Sequence, residues 1–226
     1  GDAATLLWTD TPRILVADHA DIVSSGDDFV DILVIDENGD PVEGANVNLT
    51  SGTDTSDNSG IYTNETTDFS GHAYVPIDDS FTGYTVDVTV TCQDCLYSET
   101  SFSVSSSELL PDLSDLSIMV NDDVGSSNSN GDGLINPGET IEISFVINNY
   151  TGQNFSNLDV SIQSSDLSIS SNIFEVNQLD DGGGVYIENL VLDIPSYILP
   201  DTEPMMYVFI TDGQNESNQL LDVDIF

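Results

Sequence analysis

Lysine is absent from this chain of 226 residues, and Arg13 is its only arginine, set against 41 Asp and Glu for a formal net charge of −40. Proteins hold phosphate backbones by displacing counterions with Lys and Arg, so nucleic acid is excluded as a partner. An acidic membrane surface repels the chain for the same reason. Without lysine there is no Lys–Asn isopeptide cross-link, no lysine-linked polymer and no Schiff base within these residues. Long apolar runs are missing as well, so no segment reads as inserted in a bilayer. Cysteine is limited to Cys92 and Cys95 and histidine to His19 and His72, remote from one another, which supports neither a zinc site nor a Ser- or Cys-based triad. The sequence opens on Gly1 with neither an initiator Met nor a signal peptide, and reads as a piece of a longer polypeptide.

What the chain does contain is alternation. Val30-Asp31-Ile32-Leu33-Val34, Ala45-Asn46-Val47-Asn48-Leu49 and Tyr84-Thr85-Val86-Asp87-Val88-Thr89-Val90 alternate with a period of two, that of a strand with one buried face. Asn38-Gly39-Asp40-Pro41 is read as closing a first hairpin, and Phe69-Ser70-Gly71 as the turn before Ala73, Val75 and Ile77. Helix formers are scarce while Thr, Ser, Asn and Asp abound, so no helix is expected. Residues 103–115, with Ser105-Ser106-Ser107 and Pro111, break the pattern and read as a linker. Beyond it, strands are expected at Leu116, Ile118 and Val120, then over 140–147, 158–162, 185–194, 205–210 and 220–225. The expected fold is all-β: two tandem immunoglobulin-like antiparallel β-sandwich domains, over 1–109 with an N-terminal junction segment and over 110–226.

Asn128-Ser129-Asn130-Gly131-Asp132-Gly133-Leu134-Ile135-Asn136-Pro137-Gly138-Glu139 carries oxygen donors at the spacing of an EF-hand calcium loop. Asn128, Asn130 and Asp132 take its first, third and fifth positions, Gly133 the sharp turn and Glu139 the bidentate twelfth place, while Leu134 offers its carbonyl and Asn136 joins the set. Calcium takes roughly six to eight oxygens at about 2.3–2.6 Å, which suits a loop that doubles back and ends on a carboxylate. Asp122 and Asp123 upstream can restore the charge that the two leading amides lack. The alternative is a solvated Asn/Gly/Asp-rich turn. With no flanking helices, an ion here is expected to hold shape between strands rather than to work a sensor groove.

Other motifs are less specific. Cys92-Gln93-Asp94-Cys95 ends a strand rather than opening a helix, which favours a local structural disulfide over a redox pair. Asp78-Asp79 and Asp180-Asp181 are followed by Ser80 and by Gly182-Gly183-Gly184 and read as loop tips, not acid–base pairs. Asn48, Asn64, Asn149, Asn154 and Asn215 head Asn-x-Ser/Thr sequons. Tyr62, Tyr97 and Tyr197 can serve as a carbohydrate platform, with core or edge packing the expected use.

Asp36-Glu37-Asn38-Gly39-Asp40-Pro41-Val42-Glu43-Gly44-Ala45 with Asp68-Phe69-Ser70-Gly71-His72-Ala73 resembles bacterial immunoglobulin-like surface domains. The opening, Gly1-Asp2 through Leu6-Leu7-Trp8-Thr9-Asp10-Thr11-Pro12, resembles the junction where a gingipain-type (C25) cysteine peptidase domain passes into its immunoglobulin-like domain. Asn130-Gly131-Asp132-Gly133 with Asn136-Pro137-Gly138-Glu139-Thr140 is similar to calcium-binding β-sandwich domains of large secreted Bacteroidota proteins. The peptidase's His-Cys pair precedes such a junction, so the resemblance implies a non-catalytic region of a bigger secreted protein.

So acidic a surface repels itself in dilute salt, whereas at about 1 M the Debye length falls to roughly 3 Å and the repulsion is screened. An extracellular or cell-surface setting is expected, and no enzyme activity. The expected role is a calcium-stabilised structural or adhesive module that associates with itself or with surface proteins and glycans. A filament joined by pairing of the Leu6-Leu7-Trp8 segment or of residues 220–226 is one form of this; pairing of both termini within their own sandwich is the other. The alternative is a substrate- or glycan-binding accessory of a secreted peptidase.

Overall fold

The computed structural model describes residues 11–51, 61–113, 118–123, 125–170, 172–200 and 202–226. The Leu6-Leu7-Trp8 segment, the junction-like opening up to Asp10, and Leu116 lie outside them. The chain divides into two compact units, Gly1–Ser107 and Glu108–Phe226. Both are all-β, and Asp79–Phe81, one turn of 3-10 helix, is the sole helical element among the described residues.

Unit 1 contains β1 (Arg13–Asp18), β2 (Ile22–Val23), β3 (Phe29–Asp36), β4 (Asn46–Ser51), β5 (Ile61–Thr66), β6 (His72–Pro76), β7 (Thr85–Thr91), β8 (Cys95–Leu96) and β9 (Ser98–Val104). They form two sheets, ordered β6-β3-β1-β8 and β2-β9-β7-β4-β5. The period of two does the sorting. Val30, Ile32, Val34, Ala73 and Val75 from the first sheet meet Val47, Leu49, Val86, Val88, Val90 and Phe102 from the second in one buried core, while Asp87 and Glu99 face outward.

The hairpin expected at Asn38-Gly39-Asp40-Pro41 does not form, because β3 and β4 lie in different sheets. The turn folds Pro41 back into a bridge with Ile35, with Gly39 at φ +84°, and the chain then crosses to the second sheet. The crossing is driven by Val42 and Ala45, both fully buried, which fill the space between the sheets.

Unit 2 contains β10 (Asp112–Leu113), β11 (Met119–Asn121), β12 (Thr140–Asn148), β13 (Phe155–Ser164), β14 (Ser168–Ile169), β15 (Ile173–Leu179), β16 (Gly184–Asp193), β17 (Met206–Thr211) and β18 (Glu216–Leu220). One sheet runs β10-β12-β16-β14, with β11 also on β12, and the other β15-β13-β17-β18. Ile141, Ile143, Phe145, Ile147, Leu190 and Leu192 pack against Leu158, Val160, Ile162, Val208 and Ile210 in a second core. Opposite Ile143 and Phe145 a bulge puts one extra residue into β16, where Asn189 has φ +64°, while β12 keeps its alternation of Ile141, Ile143, Phe145 and Ile147 into the core.

The expected strand at 220–225 is also corrected. β18 ends at Leu220, and residues 221–226 run on as a docked segment without a sheet partner. Leu221, Val223 and Ile225 enter the core of unit 2, and main-chain bonds hold the segment from Leu221 N–H to Met206 O (3.0 Å), Ile225 N–H to Thr202 O (3.1 Å) and Phe226 N–H to Ile135 O (2.8 Å). Apolar alternation reads the same whether a segment joins a ladder or seals the end of a core.

Candidate functional site

The loop leading into β12 is pinned at both ends. Asn128 and Thr140 exchange main-chain hydrogen bonds of 2.7 and 3.3 Å, and buried Ile135 anchors the middle of the loop in the core. Between these points the chain turns on itself. Asp132 N–H donates to Asn130 Oδ1 and Leu134 N–H to Asp132 Oδ1, each at 2.9 Å, successive side-chain-to-main-chain turns that Asn and Asp favour. Gly133, at φ +81°, takes a left-handed conformation at the sharp turn.

Two carboxylates reach into this loop. Glu139, 9% exposed, accepts from Asn130 N–H (3.1 Å) through Oε1 and from Asn136 N–H (3.0 Å) through Oε2. Asp122, 5% exposed at the end of β11, accepts from Gly133 N–H at 2.7 Å, and Ser129 Oγ–H donates to its carbonyl. The Asn136 amide nitrogen lies 3.3–3.5 Å from Asp132 Oδ1, Asp132 Oδ2, Leu134 O and Glu139 Oε2. An amide has two N–H groups, so four oxygens exceed what it can satisfy. The two carboxylates of this set receive no ion pair from Lys or Arg among the described residues: the chain has no Lys, and Arg13 lies beside Cys92 and Cys95.

Asp122, Asn130, Asp132, Leu134, Asn136 and Glu139 are thus linked by one network. Asn128 contributes its main chain, while its side chain and that of Asp123 are exposed and make no hydrogen bond to the others among the described residues. No group of three or more His, Cys, Asp or Glu close enough to hold a metal occurs among the described residues. A cation at this loop would therefore rest on a mixed set of carboxylate, amide and carbonyl oxygens, which is chemistry that calcium accepts. Sequence reasoning missed Glu142, buried on β12, whose carboxylate accepts from Ser126 N–H and would overlap a Cβ at Gly125. The alternation of β12 gave no signal for it, because Glu142 sits at an outward position between Ile141 and Ile143 and is covered by the turn at Gly125 and Ser126, which the strand's own pattern does not show.

The remaining candidates resolve as local structure. Cys92 and Cys95 are joined in a disulfide with Cα atoms 5.4 Å apart. His72 Nδ1 lies 2.7 Å from Asp31 Oδ1; burial pushes the Asp31 carboxyl up, against the pull of His72 and with a further push from Asp68. His19 packs edge-on against Phe102. Asp78 caps the 3-10 turn by accepting from Ser80 N–H at 2.8 Å, and the Ser80 donors hold its carboxyl below the usual range. Asp180 and Asp181 are exposed; Gln178 Nε2 donates to Asp180, and Gly152 N–H to Asp181. Asn149 is 0% exposed and donates to Gln153 O and Leu179 O, which removes it from the accessible sequons. Of the core or edge packing expected of the tyrosines, the core half is corrected: Tyr62, Tyr97 and Tyr197 are 60%, 66% and 80% exposed, Tyr62 on the edge strand β5 and Tyr97 and Tyr197 outside the strands.

A family model described as a domain of unknown function, DUF7382, matches residues 14–76, within unit 1. No curated protein matches the chain. Among solved structures it is similar to trypsin-activated alpha-2-macroglobulin from Escherichia coli, at 12% identity and a TM-score of 0.37 over 95% of this chain and 18% of that one. The elastase-activated form gives 13%, 0.36, 96% and 22%, and red sea bream transglutaminase 10%, 0.33, 96% and 32%. The chain spans less than a third of the length of each. No helix among the described residues is long and apolar enough to cross a membrane.

Proposed function

We propose that this chain is a non-catalytic, extracellular structural or adhesive module whose second unit is stabilised by calcium at the 122–139 loop. The observation that carries the reading is the convergence of four oxygens, from Asp132, Leu134 and Glu139, on the Asn136 amide. Turning that amide presents Oδ1 instead of Nδ2, and a cation then satisfies the oxygens that two N–H groups cannot. Asp132 and Glu139 supply the charge, Asn136 and Leu134 neutral oxygens, and Asp122 braces Gly133. Held there, the ion ties the approach of β12 to the end of β11.

Isothermal titration with calcium chloride tests this. The intact chain should bind one ion at the loop, and Glu139→Gln should lose that binding. Equal calcium uptake by the variant, or none by either protein, contradicts the site.

A second reading, a glycan-binding accessory module, draws on Tyr62. Its hydroxyl donates to Asn48 Oδ1 (2.9 Å) and accepts from Asn64 Nδ2 (3.0 Å), which fixes an exposed ring on the outer face of unit 1. Binding on a glycan array that Tyr62→Ala abolishes would favour it. Assembly into a filament through the C-terminal segment is disfavoured, since that segment's apolar side chains are already in the core of unit 2.

A further inference from the structure

The chain contains two Asn-Gly dipeptides, Asn38-Gly39 and Asn130-Gly131. A glycine nitrogen, unshielded by any side chain, can attack the side-chain carbonyl of the asparagine before it. The two pairs share this local chemistry and differ in what the fold does with it. We propose that Asn130 is a site of spontaneous deamidation, and that the fold protects Asn38.

At Asn130 the reacting groups are accessible and one is activated. Asn130 and Gly131 are exposed, and the Gly131 N–H donates no hydrogen bond among the described residues. Asn130 Oδ1 accepts from Asp132 N–H at 2.9 Å. That oxygen gains negative charge as the glycine nitrogen adds to Cγ, so the N–H already sits where an oxyanion donor is needed. At Asn38 the attacking nitrogen is engaged. Gly39 N–H donates to Asp36 O at 2.9 Å, and Asn38 N–H to Asp36 Oδ1 at 2.8 Å. Attack there first requires the Gly39 bond to break.

The reaction needs only water. The Gly131 nitrogen gives its proton to water or hydroxide and bonds to Asn130 Cγ; the amide nitrogen takes up a proton and leaves as ammonia, closing a five-membered succinimide. One water then opens the ring, at the former side-chain carbonyl to give aspartate, or at the main-chain carbonyl to give isoaspartate. No oxidation state changes. On the calcium reading above, aspartate adds a carboxylate to the loop, and charge count is one of the variables that tune calcium affinity. Isoaspartate lengthens the main chain by one carbon between Asp122 and Glu139 and disturbs their spacing. The loop would thereby age into forms of unequal affinity.

The test is made in chelator, so that it stands apart from the calcium reading. The intact chain is held folded in mildly alkaline buffer, sampled over time, cut with a glutamyl endopeptidase and mapped by mass spectrometry; a parallel sample is held unfolded in urea. Both asparagines should convert at similar rates when unfolded. In the folded chain Asn130 should convert about five- to tenfold faster than Asn38, the equivalent of one hydrogen bond of about 1–1.4 kcal/mol. Equal rates in the folded chain, faster conversion at Asn38, or no conversion at Asn130 while the unfolded chain reacts, overturns the proposal.

Discussion

At the scale of single residues, carboxylates held by donors contribute to the loss of stability in acid. Main-chain N–H from Asn38 holds Asp36 below the ordinary carboxylate range. In Asp68 and Asp212 burial pushes upward, but donors from Ser70 and His72, and from Asn215 and Gln214, outweigh it and leave both carboxyls lowered. A carboxyl lowered by folding contributes stability above its unfolded pKa and loses it as pH falls toward the folded value. Asp31, raised, runs the other way and is relieved by protonation. Asp68 Oδ1 accepts from Ser70 N–H, Ser70 Oγ–H and His72 N–H at 2.8, 2.7 and 3.0 Å. Asp68→Asn should therefore lower stability at neutral pH and flatten its decline on acidification, read by urea unfolding across the carboxylate range; parallel curves for variant and parent would contradict this. Gly71, in the same turn, has φ +85°, and a Cβ there would stand 2.7 Å from Val34 O and 3.0 Å from Pro41 Cβ. Gly71→Ala should cost about 2 kcal/mol or more in the same assay.

At the scale of elements, the strands were legible because their period is unambiguous: Val86, Val88 and Val90 could face only one way. Which sheet each strand joins was not legible. Asn38-Gly39 announces a turn, but the choice between hairpin and corner rests with Val42 and Ala45, whose burial depends on the opposite sheet. Local spacing likewise announced the 128–139 loop and its Gly133 turn. The contact of Asp122 with Gly133 was only half visible, since it comes from the end of β11 across a gap in sequence. Residues 221–226 share their pattern with a strand and yet dock as a segment, so their worth lies in packing. Ile225, 1% exposed, supplies much of it, and Ile225→Ala should destabilise by about 2–5 kcal/mol in urea unfolding. A change below about 0.5 kcal/mol would show the segment to be a dispensable tail.

For the whole molecule, a net charge of −40 with a single Arg means that any cation acts on two levels. Salt of every kind screens the general repulsion, whereas a bound ion stabilises only the state that holds it, by about 2.7 kcal/mol at a hundred times its dissociation constant. The two effects separate in one measurement: thermal unfolding of the parent chain and of Glu139→Gln, in calcium and in chelator, at matched ionic strength. Calcium should raise the unfolding temperature of the parent by several degrees and leave that of Glu139→Gln unmoved. Equal shifts in both proteins, or none in the parent, would contradict the central claim that calcium at the 122–139 loop stabilises the second unit.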